Sequence, residues 1–141
     1  MSRFIGKTVF VTGASSGLGA ATARLYVDEG ANVFGIGRNE TALAEIAHYS
    51  DTVAVQAVEL ADSQQCSDAI NRCVEQFGQL DVLVNAAGKH QLHHTATVSD
   101  ADWERDLAVN ISGPFYLCRA AIPHLLESKG NIVNVASIAG L

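Results

Sequence analysis

The chain has 141 residues, 48% of them hydrophobic: enough for one domain with a real core and too few for two. Its formal net charge of -6 excludes a nonspecific nucleic-acid binder, so an anionic ligand must be held by local features against the overall field. No apolar run reaches the ~18–20 residues that span a bilayer, and the one after Arg3 and Lys7 is too short for a signal peptide, so no membrane contact and a cytoplasmic location are expected.

The first strand is predicted at Thr8–Val11, an apolar, β-branched run. It feeds Thr12-Gly13-Ala14-Ser15-Ser16-Gly17-Leu18-Gly19, which opens into a helix over Leu18–Glu29. Glycines between a strand and a helix aim the unpaired N–H groups of the first turn at an anion, and the missing Cβ atoms let it approach the backbone. The spacing is G-x-x-x-G-x-G rather than G-x-G-x-x-G, and a tight turn alone is the competing reading. The strand-to-helix context favours a phosphate cradle built from Gly13, Ser15, Ser16, Gly17, Leu18 and Gly19.

A second strand, Asn32–Ile36, runs out through Gly37 into Arg38. Many dinucleotide-binding folds place an acid at this point, where it accepts hydrogen bonds from the adenosine ribose. Here no carboxylate is present, and a guanidinium one step further on is suited to a 2′-phosphate that an acid would repel. That favours NADP(H) over NAD(H). The alternative is a solvated arginine before a helix capped by Asn39.

A helix over Glu40–Tyr49, a strand at Thr52–Val58, a helix over Ser63–Phe77 and a strand at Asp81–Val84 follow. Cys66 and Cys73 fall on one helix about 10 Å apart, too far for a disulfide. With Cys118 they read as small buried or half-buried side chains. After the fourth strand, Asn85-Ala86-Ala87-Gly88 offers small residues against which a flat group packs closely. Asn85 reads either as a tie to the backbone or as a direct cofactor contact. His90, His93 and His94 lack a Cys or carboxylate at ligand spacing, so a solvated or substrate-facing loop is expected there and no metal.

The last helix is predicted over Asp100–Glu127, with a capping box at Ser99 and Asp102. Trp103, Leu107, Ile111, Phe115, Cys118, Ile122 and Leu125 form an apolar stripe, which Asn110 should face as a buried, hydrogen-bonded amide. Pro114 after Gly113 should kink this helix. A fifth strand at Asn131–Val135 leads to Ala136-Ser137. Near-continuous apolar strands alternating with helices imply an α/β fold, a doubly wound, Rossmann-like parallel sheet in the order 3-2-1-4-5. The glycine loop, Asn85 and Ser137 then share the carboxyl edge, where such sheets bind ligands. No linker interrupts residues 1–141, so a single domain is expected.

Together Thr12 to Gly19, Asn85-Ala86-Ala87-Gly88, Val109-Asn110 and Asn134-Val135-Ala136-Ser137 resemble the short-chain dehydrogenase/reductase family along the whole chain. Two departures are mild: Ala86 stands where the family often has Asn, and Glu59 before Leu60 stands where it often has Asp near the adenine. The resemblance implies reversible reduction of a carbonyl to a secondary alcohol, with a small-molecule substrate. It implies that Ser137 hydrogen-bonds the substrate oxygen and Asn110 holds a water in a proton relay. Arg38, Glu59, Leu60, Asn85, Ala86 and Gly88 join the glycine loop as cofactor contacts.

The family's acid/base Tyr and the Lys four residues later are not found in this sequence: Tyr26, Tyr49 and Tyr116 precede Gly30, Val53 and Ala120 at that spacing. The chain therefore reads as the cofactor-binding, N-terminal portion of the family fold, truncated after the fifth strand and inactive by itself. The rival is a non-catalytic nucleotide-binding or interaction module. A fifth strand without an outer neighbour predicts self-association through that edge, and a full-length relative is expected to be a homo-oligomer.

Overall fold

The computed structural model describes residues 2–89 and 94–137. The first strand, β1 (Thr8–Thr12), is buried at every position, because side chains on both of its faces meet a helical layer. Helix α1 (Gly17–Asp28), strand β2 (Asn32–Gly37), helix α2 (Glu40–Ala47) and strand β3 (Val53–Ala57) follow. Helix α3 (Ser63–Phe77) then leads into strand β4 (Val82–Asn85). The described chain closes with α4 (Asp100–Leu107), a π-helical turn at Ala108–Ser112, α5 (Gly113–Ser128) and β5 (Asn131–Asn134). Five strands pair in parallel in the order β3-β2-β1-β4-β5, the doubly wound order expected from the sequence.

One face of the sheet packs Val9, Val11 and Val33 against Ala20 and Ala23 of α1 and Leu43 and Ile46 of α2. On the other face Phe10, Phe34 and Leu83 meet Ile70 and Cys73 of α3 and Leu117 and Ala121 of α5. Phe10 and Phe34 stack with ring centroids 5.4 Å apart, so neighbouring strands are joined by side chains as well as by hydrogen bonds. At the amino edge the buried Asp81 carboxylate accepts from Lys7 Nζ at 2.8 Å, Thr8 N at 2.9 Å and Gln79 Nε2 at 2.7 Å. That knot fixes β4 beside β1 at the end opposite the candidate site. No helix of the described residues is long and apolar enough to cross a membrane.

Local signals set the helix starts. Asn39 Oδ1 accepts from Ala42 N at 3.0 Å, and Asp62 Oδ1 accepts from Gln64 N and Gln65 N at 2.9 and 3.1 Å. Ser99 Oγ accepts from Asp102 N at 3.1 Å and donates to Asp102 Oδ2 at 2.7 Å. The single long helix expected over Asp100–Glu127 is instead three pieces. Pro114 lies in the first turn of α5 and has no N–H, so the turn before it widens into the π segment.

Two expectations fail on this stretch. The buried face of α5 is Gly113, Leu117, Ala121 and Leu125, while Ile111, Phe115 and Ile122 of the expected stripe are exposed, as is Trp103 of α4. Long apolar side chains dominated the pattern, but the close approach of α5 to α3 selects the row with small residues. Asn110 is exposed rather than buried against that stripe, because the widened turn rotates it away from the core.

Candidate functional site

The loops at the carboxyl ends of β1, β2, β3 and β4 enclose a cleft of about 280 Å³. All the residues expected to hold a dinucleotide line it except Asn85. Its floor is main chain. Gly13 has φ of +70°, and a Cβ there would stand 3.0 Å from Ala87 Cα; a Cβ on Gly19 would run into the Gly13 carbonyl. Ser16 caps α1 in extended geometry with no side-chain hydrogen bond to the first turn, so its hydroxyl leaves the helix-start N–H groups to a ligand. These features fit an anionic, phosphate-bearing group approaching the backbone closely.

Thr12 carries a role the motif reading missed. Its buried hydroxyl oxygen accepts from Ala86 N at 3.0 Å and Ala87 N at 2.8 Å, so the loop after β4 is pinned to the loop after β1. A hydroxyl at the last position of an otherwise apolar strand was the available signal. Arg38 stands exposed at the cleft rim and makes no ion pair among the described residues. Glu59 and Leu60 line the same cleft. The Glu59 carboxylate accepts from Ala61 N at 3.3 Å, and its own N–H donates to Gln65 Oε1 at 3.0 Å.

A second, more open cavity of about 850 Å³ lies beside the first, between β4, β5 and the start of α5. It brings Asn110 and Ser137 together with Asn85, Cys118 and Asn134. Asn85 is 4% exposed, and its Nδ2 donates to Asn134 Oδ1 at 2.8 Å and to Cys118 Sγ at 3.5 Å. The tie expected of Asn85 therefore exists, but it reaches a side chain across the sheet rather than the backbone. Its Oδ1 is buried without a partner among the described residues. The Asn110 amide grips one residue at both ends: Oδ1 accepts from Lys89 N at 2.8 Å and Nδ2 donates to Lys89 O at 2.9 Å. Ala86, Ala87, Gly88 and Lys89 line both cavities, so the loop after β4 is their shared wall.

Cys66 and Cys73 are buried in α3, and burial pushes their thiols up to about 11 and about 12, which keeps them protonated. His94 accepts through its backbone oxygen from Thr97 N and Val98 N, both at 2.9 Å, while His90 and His93 lie outside the described residues. Among the described residues no cluster of His, Cys, Asp or Glu is arranged to hold a metal ion.

Residues 7–141 match the family described as short chain dehydrogenase. An uncharacterized oxidoreductase of Staphylococcus saprophyticus is 38% identical over 95% of this chain and 60% of its own length. Another from Staphylococcus epidermidis is 34% identical over 99% of this chain and 62% of its own. Among solved structures, a short-chain dehydrogenase/reductase titled glucose/ribitol dehydrogenase from Brucella melitensis superimposes with a TM-score of 0.92 at 33% identity. That match covers 96% of this chain and 58% of the Brucella chain, so this chain spans about three fifths of the length of its relatives.

Proposed function

Because the chain belongs to the short-chain dehydrogenase family, we propose that residues 1–141 form one cofactor-binding unit that takes NADP(H) in preference to NAD(H). The observation that carries the preference is Arg38 at the rim of the glycine-floored cleft, with no carboxylate at the end of β2. The glycine loop with Ser15 and Ser16 holds the diphosphate, and Glu59 and Leu60 flank the adenosine. When bound, the nicotinamide gives or accepts a hydride. Ser137 donates a hydrogen bond to the oxygen of a small carbonyl or alcohol substrate in the second cavity. Asn110 holds a water for proton relay. Asn85 serves the cofactor indirectly, by fixing β4 to β5 below the shared wall.

The same reading carries over to assembly and location. Val133 and Val135 are exposed on and just after β5, which pairs only with β4 among the described residues. We therefore expect residues 1–141 to self-associate, and the whole protein to be a cytoplasmic homo-oligomer. Size-exclusion with light scattering reads this directly: a monomer independent of concentration contradicts it.

Titration of NADPH and NADH against wild type and Arg38→Ala tests the cofactor reading. A charge-assisted contact to the 2′-phosphate contributes about 1.5–3 kcal/mol, so NADPH should bind roughly tenfold to a hundredfold tighter than NADH. Arg38→Ala should erase that margin and leave NADH binding as it was. Equal affinities in the wild type, or a margin that survives in the mutant, reject the assignment.

A further inference from the structure

Of the four residues that wall both cavities, Lys89 alone carries a charge. Its backbone is immobilised at both N–H and C=O by Asn110. Its side chain is 19% exposed, yet the ammonium stands 3.6 Å from Asp106 Oδ1 and donates a hydrogen bond to no described residue. Asp106 is 25% exposed, and its buried Oδ1 accepts no hydrogen bond among the described residues. Charge-assisted hydrogen bonds close to about 2.7–2.9 Å, so this pair attracts without completing a bond. An ammonium has three donors, and no described residue accepts from any of them. A ligand oxygen reaching the shared wall supplies what is missing.

We propose that Lys89 is a second anion-recognising residue of the site, donating to a phosphate or carboxylate oxygen where the two cavities meet. Asp106 holds the ammonium beside that point and competes with the ligand for it. The proposal rests on reading the first cleft as a dinucleotide site, and two sources share the chemistry it names. One is the dinucleotide diphosphate in the first cleft; the other is a carboxylate on a substrate in the second cavity.

The two roles open to Lys89 differ in sign. If the pair is only a brace, Lys89→Met and Asp106→Asn both weaken binding. If Asp106 competes with the ligand, Lys89→Met weakens binding and Asp106→Asn strengthens it. The Asn110 grip on the Lys89 backbone does not involve either side chain, so both variants should keep the loop in place.

Three probes are titrated into wild type and both variants: NADPH, inorganic pyrophosphate and pyruvate, each followed by the amide shifts of Gly88 and Lys89. About a tenfold loss in Lys89→Met and a gain of about threefold in Asp106→Asn are expected for the probe that Lys89 holds, in line with one charge-assisted bond. Such changes with pyrophosphate and NADPH identify the phosphate source, and with pyruvate the carboxylate. Failure of the wild type to bind NADPH while pyrophosphate or pyruvate still depends on Lys89 sinks the dinucleotide reading and leaves this one standing. Equal affinities across the three proteins, weakening by Asp106→Asn, or no shift with any probe overturns the proposal.

Discussion

The two cavities at the carboxyl edge are built from different materials. The first is walled by backbone: glycines without Cβ atoms, an open helix start, and main-chain N–H groups pinned to one threonine hydroxyl. The second is held by side chains meeting across the chain, Asn85 with Asn134 and Asn110 with Lys89. Their supports differ too. Strand β1 beside the first is buried throughout, whereas β5 beside the second is half-buried at one position and exposed at the rest. A backbone site tolerates few substitutions at its glycines but needs no distant partner. A side-chain site is only as rigid as the elements that bring its members together.

The contrast is sharpest in catalysis, where the largest effect is expected. The proposed cofactor contacts line the first cavity, and no Tyr-x-x-x-Lys pair occurs within residues 1–141. Proton transfer by a positioned group typically contributes about 10²–10⁴-fold, so a polypeptide of residues 1–141 should bind NADPH without turning over carbonyl compounds. Steady NADPH oxidation by the pure polypeptide, abolished by Ser137→Ala, would overturn that division of labour.

Next in size is the glycine floor. Gly19→Ala forces a methyl group into the Gly13 carbonyl, and overpacking of that kind costs about 1–3 kcal/mol. The loop must shift to relieve it, so NADPH binding should fall at least tenfold along with the urea midpoint. Equal binding by Gly19→Ala and wild type would mean that the floor is not where the ligand sits.

The same contrast explains what was legible in the sequence. Sheet order and the first cleft follow from short-range signals: apolar strands, glycine spacing, and the placing of Arg38 at the end of β2. The second cavity depends on contacts between residues distant in the chain, such as Asn85 with Asn134, and no local pattern announces them. Asn110 illustrates the limit. Its need for a partner was readable, but the partner is the Lys89 backbone rather than a buried group, because Pro114 changed the helical phase just before α5. The apolar stripe failed for a related reason: hydropathy ranks Phe115 above Gly113, whereas close helix packing prefers the small residue.

Thiol labelling probes the contrast more gently. Cys66 and Cys73 belong to the packed layer under the first half of the sheet, with thiols pushed up to about 11 and about 12 by burial. Cys118 is half-buried and lines the second cavity. At pH 8 a neutral alkylating reagent should mark Cys118 first by more than tenfold, since the thiolate is the nucleophile and access is needed. Mass mapping that finds the α3 cysteines modified at the same rate would mean that the layer opens as readily as the cavity.

The smallest expected effect separates the two sides by local stability. Helix α4 has no buried residue, so it rests largely on its cap and on the Lys89–Asp106 attraction. Ser99→Ala removes the hydroxyl that accepts from Asp102 N, a loss of about 1 kcal/mol for a typical cap. In a helix packed into the core that loss would appear in global stability. In α4 it should appear as fraying, because the helix opens without disturbing β1 or α3. Amide exchange at 103–107 should then speed up by about fivefold, the factor that 1 kcal/mol corresponds to, while the amides of β1 keep their protection. Because α4 leads directly into the turn that carries Asn110, exchange at Lys89 N–H should rise with it. Equal acceleration in β1 would show that α4 unfolds only with the whole domain, and the second cavity would then be as firmly built as the first.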